Sequence, residues 1–123
     1  AYEAVEKTDG YRVLIDRLWP RGVKKDALEL DDWLKDLAPS AELRKKFGHE
    51  PERWKEFRAR YLLELRSPDA RRMIDELAKR ARGKTVTLIY SARDEERNNA
   101  VVLAEALKKR SPAKHGNGLT KSA

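Results

Sequence analysis

The sequence predicts a small α/β protein, a mostly parallel sheet covered by helices, with a single compact domain over residues 1–110 and a flexible tail at 111–123. Three observations point there. Two short runs, Tyr11-Arg12-Val13-Leu14-Ile15-Asp16 and Thr85-Val86-Thr87-Leu88-Ile89-Tyr90, are rich in β-branched residues and bounded by turn signals. The stretch between them, and the stretch after the second, repeat apolar residues at helical spacing. A chain of 123 residues has the size of one domain with one real core.

Each element has its own justification. Gly10 precedes the first strand and Gly83 the second, and the apolar triplets Val13-Leu14-Ile15 and Leu88-Ile89-Tyr90 suit strands buried on both faces. Asp31 is expected to cap a short helix carrying Trp33, Leu34 and Leu37, ending before Pro39. Ser40 is expected to cap the next, with Leu43 and Phe47 on one face and Gly48 as terminator. Pro51 fits the first position of a longer helix whose Trp54, Phe57, Tyr61 and Leu65 share a side, with Leu62 beside them; this stripe reads as core. After Pro68, Asp69 is expected to cap a helix striped by Ala70, Met73, Ile74, Leu77 and Ala81, which Gly83 stops. The last helix is expected over about residues 94–109, with Ala100, Leu103, Ala104 and Leu107 inward. Two strands do not make a stable sheet alone, so another is expected around residues 2–5 or ahead of Ala1. The tail, with Pro112, Gly116 and Gly118 and little apolar content, reads as flexible.

Composition narrows the functional classes. Charged residues make up 40% of the chain, well above the ~25% of an average domain, as solvated outer faces of helices require. The net charge of +7 attracts anions without saying which. Without cysteine there is no disulfide or thiolate chemistry, and His49 and His115 are too few for a His/Cys metal site. No metal or cofactor is expected, although a carboxylate-only magnesium site stays open. No apolar run reaches membrane-span length and no signal peptide opens the chain, so a cytoplasmic protein without membrane contact is expected.

The most unusual run is Asp16-Arg17-Leu18-Trp19-Pro20-Arg21-Gly22, two arginines around an aromatic–proline pair. The stretch from Gly10 through Gly22 resembles the signature of the YeaO-like proteins, domain-of-unknown-function family 488. Further matching segments follow in order: Trp33-Leu34-Lys35-Asp36-Leu37-Ala38-Pro39-Ser40, Leu43-Arg44-Lys45, Phe47-Gly48-His49, Phe57-Arg58 with Tyr61, then Thr87 through Asp94 with Asn98-Asn99-Ala100. The resemblance implies a compact α/β protein with a strand just before the Ala1–Tyr2 region, and assigns no reaction. A methyltransferase activity finds no support, since no Gly-rich loop follows either strand.

Parallel strands joined by a right-handed crossover would end side by side, and ligands of open parallel sheets bind outside the carboxyl ends of strands. The residues leaving those ends are Asp16, Arg17, Trp19 and Arg21 in one loop, and Tyr90, Ser91, Arg93 and Asp94 in the other. Arg17, Arg21 and Arg93 either form a fork for phosphate or carboxylate or pair with Asp16, Asp94 and Glu95 to hold the loops. Trp19 offers a stacking surface or caps the core, and Tyr90 would shape the wall. Ser91 suits a helix cap better than a nucleophile. Of Asn98 and Asn99, poor helix formers both, one is expected to donate a hydrogen bond at the strand ends, to a ligand or to backbone. Asp16 and Asp94 are the candidate proton carriers, with His49 behind them.

Three functions follow as expectations. The first is binding of a small anionic ligand that carries phosphate or carboxylate, a nucleotide among the candidates, at the strand ends. The second is a basic nucleic-acid-binding module resting on Arg71, Arg72, Lys79, Arg80, Arg82 and Lys84, although acidic residues are interleaved and no recognised DNA-binding motif is present. The third is a ligand-free regulatory or interaction domain. The sequence leaves both enzymatic activity and oligomeric state open.

Overall fold

A computed structural model of the chain describes residues 6–47, 51–91, 98–110 and 118–122. The order is a 3₁₀ turn (Lys7–Asp9), β1 (Tyr11–Leu14), α1 (Lys25–Leu28), β2 (Asp32–Trp33), a 3₁₀ turn (Lys35–Leu37) and α2 (Ala41–Phe47). A 3₁₀ turn (Pro51–Arg53) leads into α3 (Trp54–Glu64), followed by α4 (Pro68–Gly83), β3 (Val86–Tyr90), α5 (Asn99–Arg110) and β4 (Gly118–Ser122). The strands form one sheet in the order β2-β1-β3-β4, and every pairing is parallel. The protein is of the α/β class.

The expected β1–β3 pairing is present, with Val13 opposite Leu88 and Leu14 opposite Ile89. Side chains alternate across the sheet. Val13, Val86, Leu88 and Tyr90 join Ile15 in the main core, under Phe57, Tyr61, Ile74, Leu77, Leu103 and Leu107 from the helices. Leu14 and Ile89 point to the other face, where α1 and the loops flanking it supply Leu28, Trp19, Val23 and Leu30, and β2 supplies Trp33. Burial on both faces explains the unbroken apolar triplets.

The α1 face carries a polar exception. Arg12 and its β3 partner Thr87 are both buried. Arg12 pairs with the buried Asp9 carboxylate and donates through Nε to Leu28 O at 2.9 Å, while Thr87 Oγ1 donates to Asp9 O at 2.6 Å. These bonds lock the turn ahead of β1 onto the sheet. Gly10 makes the approach possible: its φ is +66°, and a Cβ there would stand 2.2 Å from Thr85 O.

Several boundaries differ from the sequence reading. Asp31 does not cap a helix; its Oδ2 accepts from the Arg12 backbone N–H at 2.8 Å, and its own N–H donates to Arg12 O at 2.8 Å. That pairing draws Asp32–Trp33 into the sheet as β2, leaving only the Lys35–Leu37 turn helical. Ser67, not Asp69, caps α4, accepting from Ala70 N at 3.2 Å with Pro68 in the first turn. Ser40 does cap α2, accepting from Leu43 N at 3.1 Å, and is held in turn by the Glu64 carboxylate. Residues 118–122, inside the stretch expected to be a flexible tail, pair with β3 from Val86↔Gly118 to Tyr90↔Ser122. The open edge of β3 supplies backbone donors and acceptors, and backbone pairing does not require the apolar content that the tail lacks. The strand expected at residues 2–5, the Gly48 terminator, and the start of the last helix at Asp94 lie outside the described residues.

Candidate functional site

From β1 the chain crosses over to β2 on one flank, and from β3 to β4 on the other. The carboxyl ends of β1 and β3 are therefore neighbours at the point where the connections diverge, the place where open parallel sheets hold their ligands. Asp16 leaves the end of β1 and is only 3% exposed. Its Oδ2 accepts from the Ser91 N–H at 2.6 Å, just past β3, and its Oδ1 accepts from Asn99 Nδ2 at 3.0 Å, in the first turn of α5. The same Asn99 amide donates to Ile15 O at 3.1 Å, and Trp33 Nε1 donates to Asp16 O at 2.6 Å. One acidic residue thus ties together β1, β3, β2 and α5.

Burial pushes the Asp16 carboxyl above its ordinary range, while the Asn99 and Ser91 hydrogen bonds and the nearby Arg44 charge act in the opposite direction. The Tyr61 hydroxyl, donating to Leu37 O at 2.5 Å, is pushed up by its complete burial and further by the Asp16 and Glu64 charges. Tyr61 thus lies within electrostatic reach of Asp16, Glu64 and Arg44. Arg44 and Tyr61 were not among the predicted site residues. Both fall in segments of the family resemblance, which was the available signal.

The other predicted residues separate. Asn98 is buried and its Oδ1 accepts from Val101 N at 3.0 Å, so it caps α5, while Asn99 makes the expected donation at the strand end, to protein acceptors. Tyr90 is 3% exposed and belongs to the main core rather than to a wall open to solvent. Trp19 also packs inward: its Nε1 donates to Val23 O at 2.6 Å, and its ring meets Trp33 edge-on at 5.5 Å. Its role is to seal the smaller core cluster. Arg17 and Arg21 are exposed, and neither guanidinium makes a hydrogen bond or ion pair with a described residue. Between them Leu18 is 75% exposed. Pro20 is buried, Val23 N donates to Pro20 O at 3.3 Å, and Gly22 takes φ +77°, so the turn that carries these side chains is well anchored. Arg93, Asp94, Ser91's expected capping partner, and His49 and His115 lie outside the described residues.

No group of three or more potential metal ligands occurs among the described residues, and none of the described helices is long and apolar enough to cross a membrane. The basic residues Arg71, Arg72, Lys79, Arg80 and Arg82 are exposed on α4, but Asp75 and Glu76 are exposed on the same helix. Arg72 pairs with Asp69 at 3.2 Å, and the Arg80 guanidinium lies 4.2 Å from the Tyr11 ring centre.

A family model described as the inactive DUF488-N3 subclade matches residues 1–123. Over 109 residues the chain is 46% identical to the uncharacterized protein YeaO of Escherichia coli (strain K12), covering 87% of this chain and 91% of that protein. It is 43% identical over 106 residues to the uncharacterized proteins Mb3100c of Mycobacterium bovis and Rv3073c of Mycobacterium tuberculosis, covering 86% of this chain and 87% of each of those. No solved structure matches the chain significantly.

Proposed function

The chain belongs to the inactive DUF488-N3 subclade, and from that premise we propose that it is a non-catalytic interaction domain that docks an acidic protein surface through the turn from Arg17 to Arg21. The observation that carries this reading is the exposure of Leu18, at 75%, between two exposed guanidinium groups that pair with no described residue, on a turn pinned by Trp19 and Pro20. A large apolar side chain held in water by a fixed turn suits insertion into a pocket of a partner, and flanking arginines suit a carboxylate-rich rim. The description of the subclade as inactive supports a binding role over a catalytic one.

Two other readings have less support. A small anion at the strand ends would need the Ser91 N–H and the Asn99 amide as donors, and the Asp16 carboxylate already takes both. A second negative charge beside a buried carboxylate is unfavourable. Nucleic-acid binding through α4 is weakened by the acidic residues that share its exposed side and by the engagement of Arg72 and Arg80.

The test compares three immobilised proteins exposed to the same cell lysate: wild type, Leu18→Asp, and the double variant Arg17→Glu/Arg21→Glu. The expected result is an acidic protein retained by wild type at about 150 mM salt and lost from both variants. The reading fails when no retained protein distinguishes wild type from both variants, or when a thermal-shift screen shows sugar phosphates stabilising wild type but not the double variant.

A further inference from the structure

Where α3, α4 and α5 meet there is a cavity of about 130 Å³ that shares no residue with the Arg17–Arg21 turn. Its floor is apolar, made by Leu62, Leu65, Ile74 and Ala106. Leu65 and Ile74 are buried, at 6% and 2% exposure. The gap has a simple origin: α5 presents the small Ala106 where a longer side chain would have filled the space left by the leucines of α3. The rim is cationic. Arg58, Arg66 and Lys109 line it against a single carboxylate, Glu105. Glu105 is already paired with Arg58, whereas the Arg66 and Lys109 side chains make no hydrogen bond or ion pair with a described residue.

We infer that this cavity is a binding site for a small amphiphilic anion, a carboxylate carrying a hydrocarbon tail of about four to six carbons. Volume sets the tail: about 130 Å³ is on the order of the 150 Å³ that holds a benzene ring, room for a short hydrocarbon chain over the leucine and isoleucine floor. Charge sets the head group: Arg66 presents a planar fork and Lys109 an ammonium, both suited to a carboxylate. A polar metabolite of the same charge would leave the leucine and isoleucine floor without contacts. A cationic amphiphile of the same length would place its head among like charges. The pairing of Glu105 with Arg58 keeps the one acidic group of the rim from opposing the ligand.

The experiment is an amide NMR titration of the full chain with sodium hexanoate, with hexylammonium and acetate as matched controls. Saturable shifts are expected at Leu62, Leu65, Ile74 and Ala106 with hexanoate, with weaker or no saturation for hexylammonium and acetate. The double variant Arg66→Glu/Lys109→Glu, which alters exposed positions, should bind hexanoate at least about 10-fold more weakly, the order of one lost charge-assisted contact. Ala106→Leu, which fills the cavity, should abolish the saturable shifts; if that variant does not fold, the charge-reversal variant and the two controls decide. The inference is overturned by the absence of saturable shifts with hexanoate, by an equal response to hexylammonium, or by unchanged affinity in the double variant. Because the Arg17–Arg21 turn is untouched by these substitutions, this outcome is independent of the partner-docking test.

Discussion

Replacing Asp16 by alanine removes a buried carboxylate whose two oxygens accept from the Ser91 backbone at 2.6 Å and the Asn99 amide at 3.0 Å. Hydrogen bonds to a charged acceptor contribute roughly 1.5–3 kcal/mol each, and a stranded donor is left without its partner. The Asn99 amide keeps its second acceptor, Ile15 O at 3.1 Å, so the larger loss falls on the Ser91 N–H. Against this stands the cost of burying the charge, visible in the upward displacement of the Asp16 carboxyl. The net expectation is a loss of about 2–3 kcal/mol, read as a fall in the urea midpoint of about 1 M for a typical small-domain slope. The pH dependence has a definite sign. Burial displaces the native carboxyl above its ordinary value of 3.8, so between that value and the folded-state one the folded chain holds a proton that the unfolded chain has already released. The contribution of Asp16 to stability is then greatest below 3.8 and declines as pH rises through the folded-state titration. Urea midpoints of wild type and Asp16→Asn, measured from acid to neutral pH, should show the difference moving against wild type as pH rises. An alanine variant within about 0.2 M of wild type, or a wild-type advantage that grows with pH, would refute the reasoning.

Other consequences are equally direct. Gly10→Ala should lose about 2 kcal/mol or more in thermal unfolding, because the new Cβ would meet Thr85 O at 2.2 Å in a left-handed conformation. Arg12→Ala should cost about 3–5 kcal/mol by leaving the Asp9 carboxylate buried beside Thr87, while the double variant Arg12→Met/Asp9→Leu should recover much of that loss. Tyr61→Phe should cost about 1–2 kcal/mol by stranding the buried Leu37 carbonyl. Truncation after Arg110 removes β4, so hydrogen exchange at the Val86, Leu88 and Tyr90 amides, on the β4 side of β3, should accelerate; unchanged protection would contradict the β3–β4 pairing.

The candidate site was partly legible in advance. Asp16, Ser91 and the Asn98–Asn99 pair were all selected from their positions after strands or at a helix start, and three of these residues meet at one carboxylate. What stayed hidden was the assignment of partners. Ser91 and Asn99 lie 75 and 83 positions from Asp16 in the chain, so no local spacing can say which donor reaches which oxygen. The arginines show the converse. Flanking acidic residues made Arg17 and Arg21 plausible loop ties, yet Asp16 is engaged elsewhere and both exposed arginines pair with no described residue.

From sequence alone came the two buried strands, the stripe of α4 from Ala70 to Ala81 and its stop at Gly83, because burial imposes a period that side chains must obey locally. The edges of the sheet were decided only by tertiary contact. Asp31 has the chemistry of a helix cap, but β1 lies beside it and offers a backbone N–H that the carboxylate accepts instead, turning Asp32–Trp33 into a strand. Residues 118–122 have tail-like composition, but the free edge of β3 pairs with their backbone. Periodicity reports which side chains leave water; a hydrogen bond made across the fold depends on which unfilled donor or acceptor the rest of the chain brings within reach.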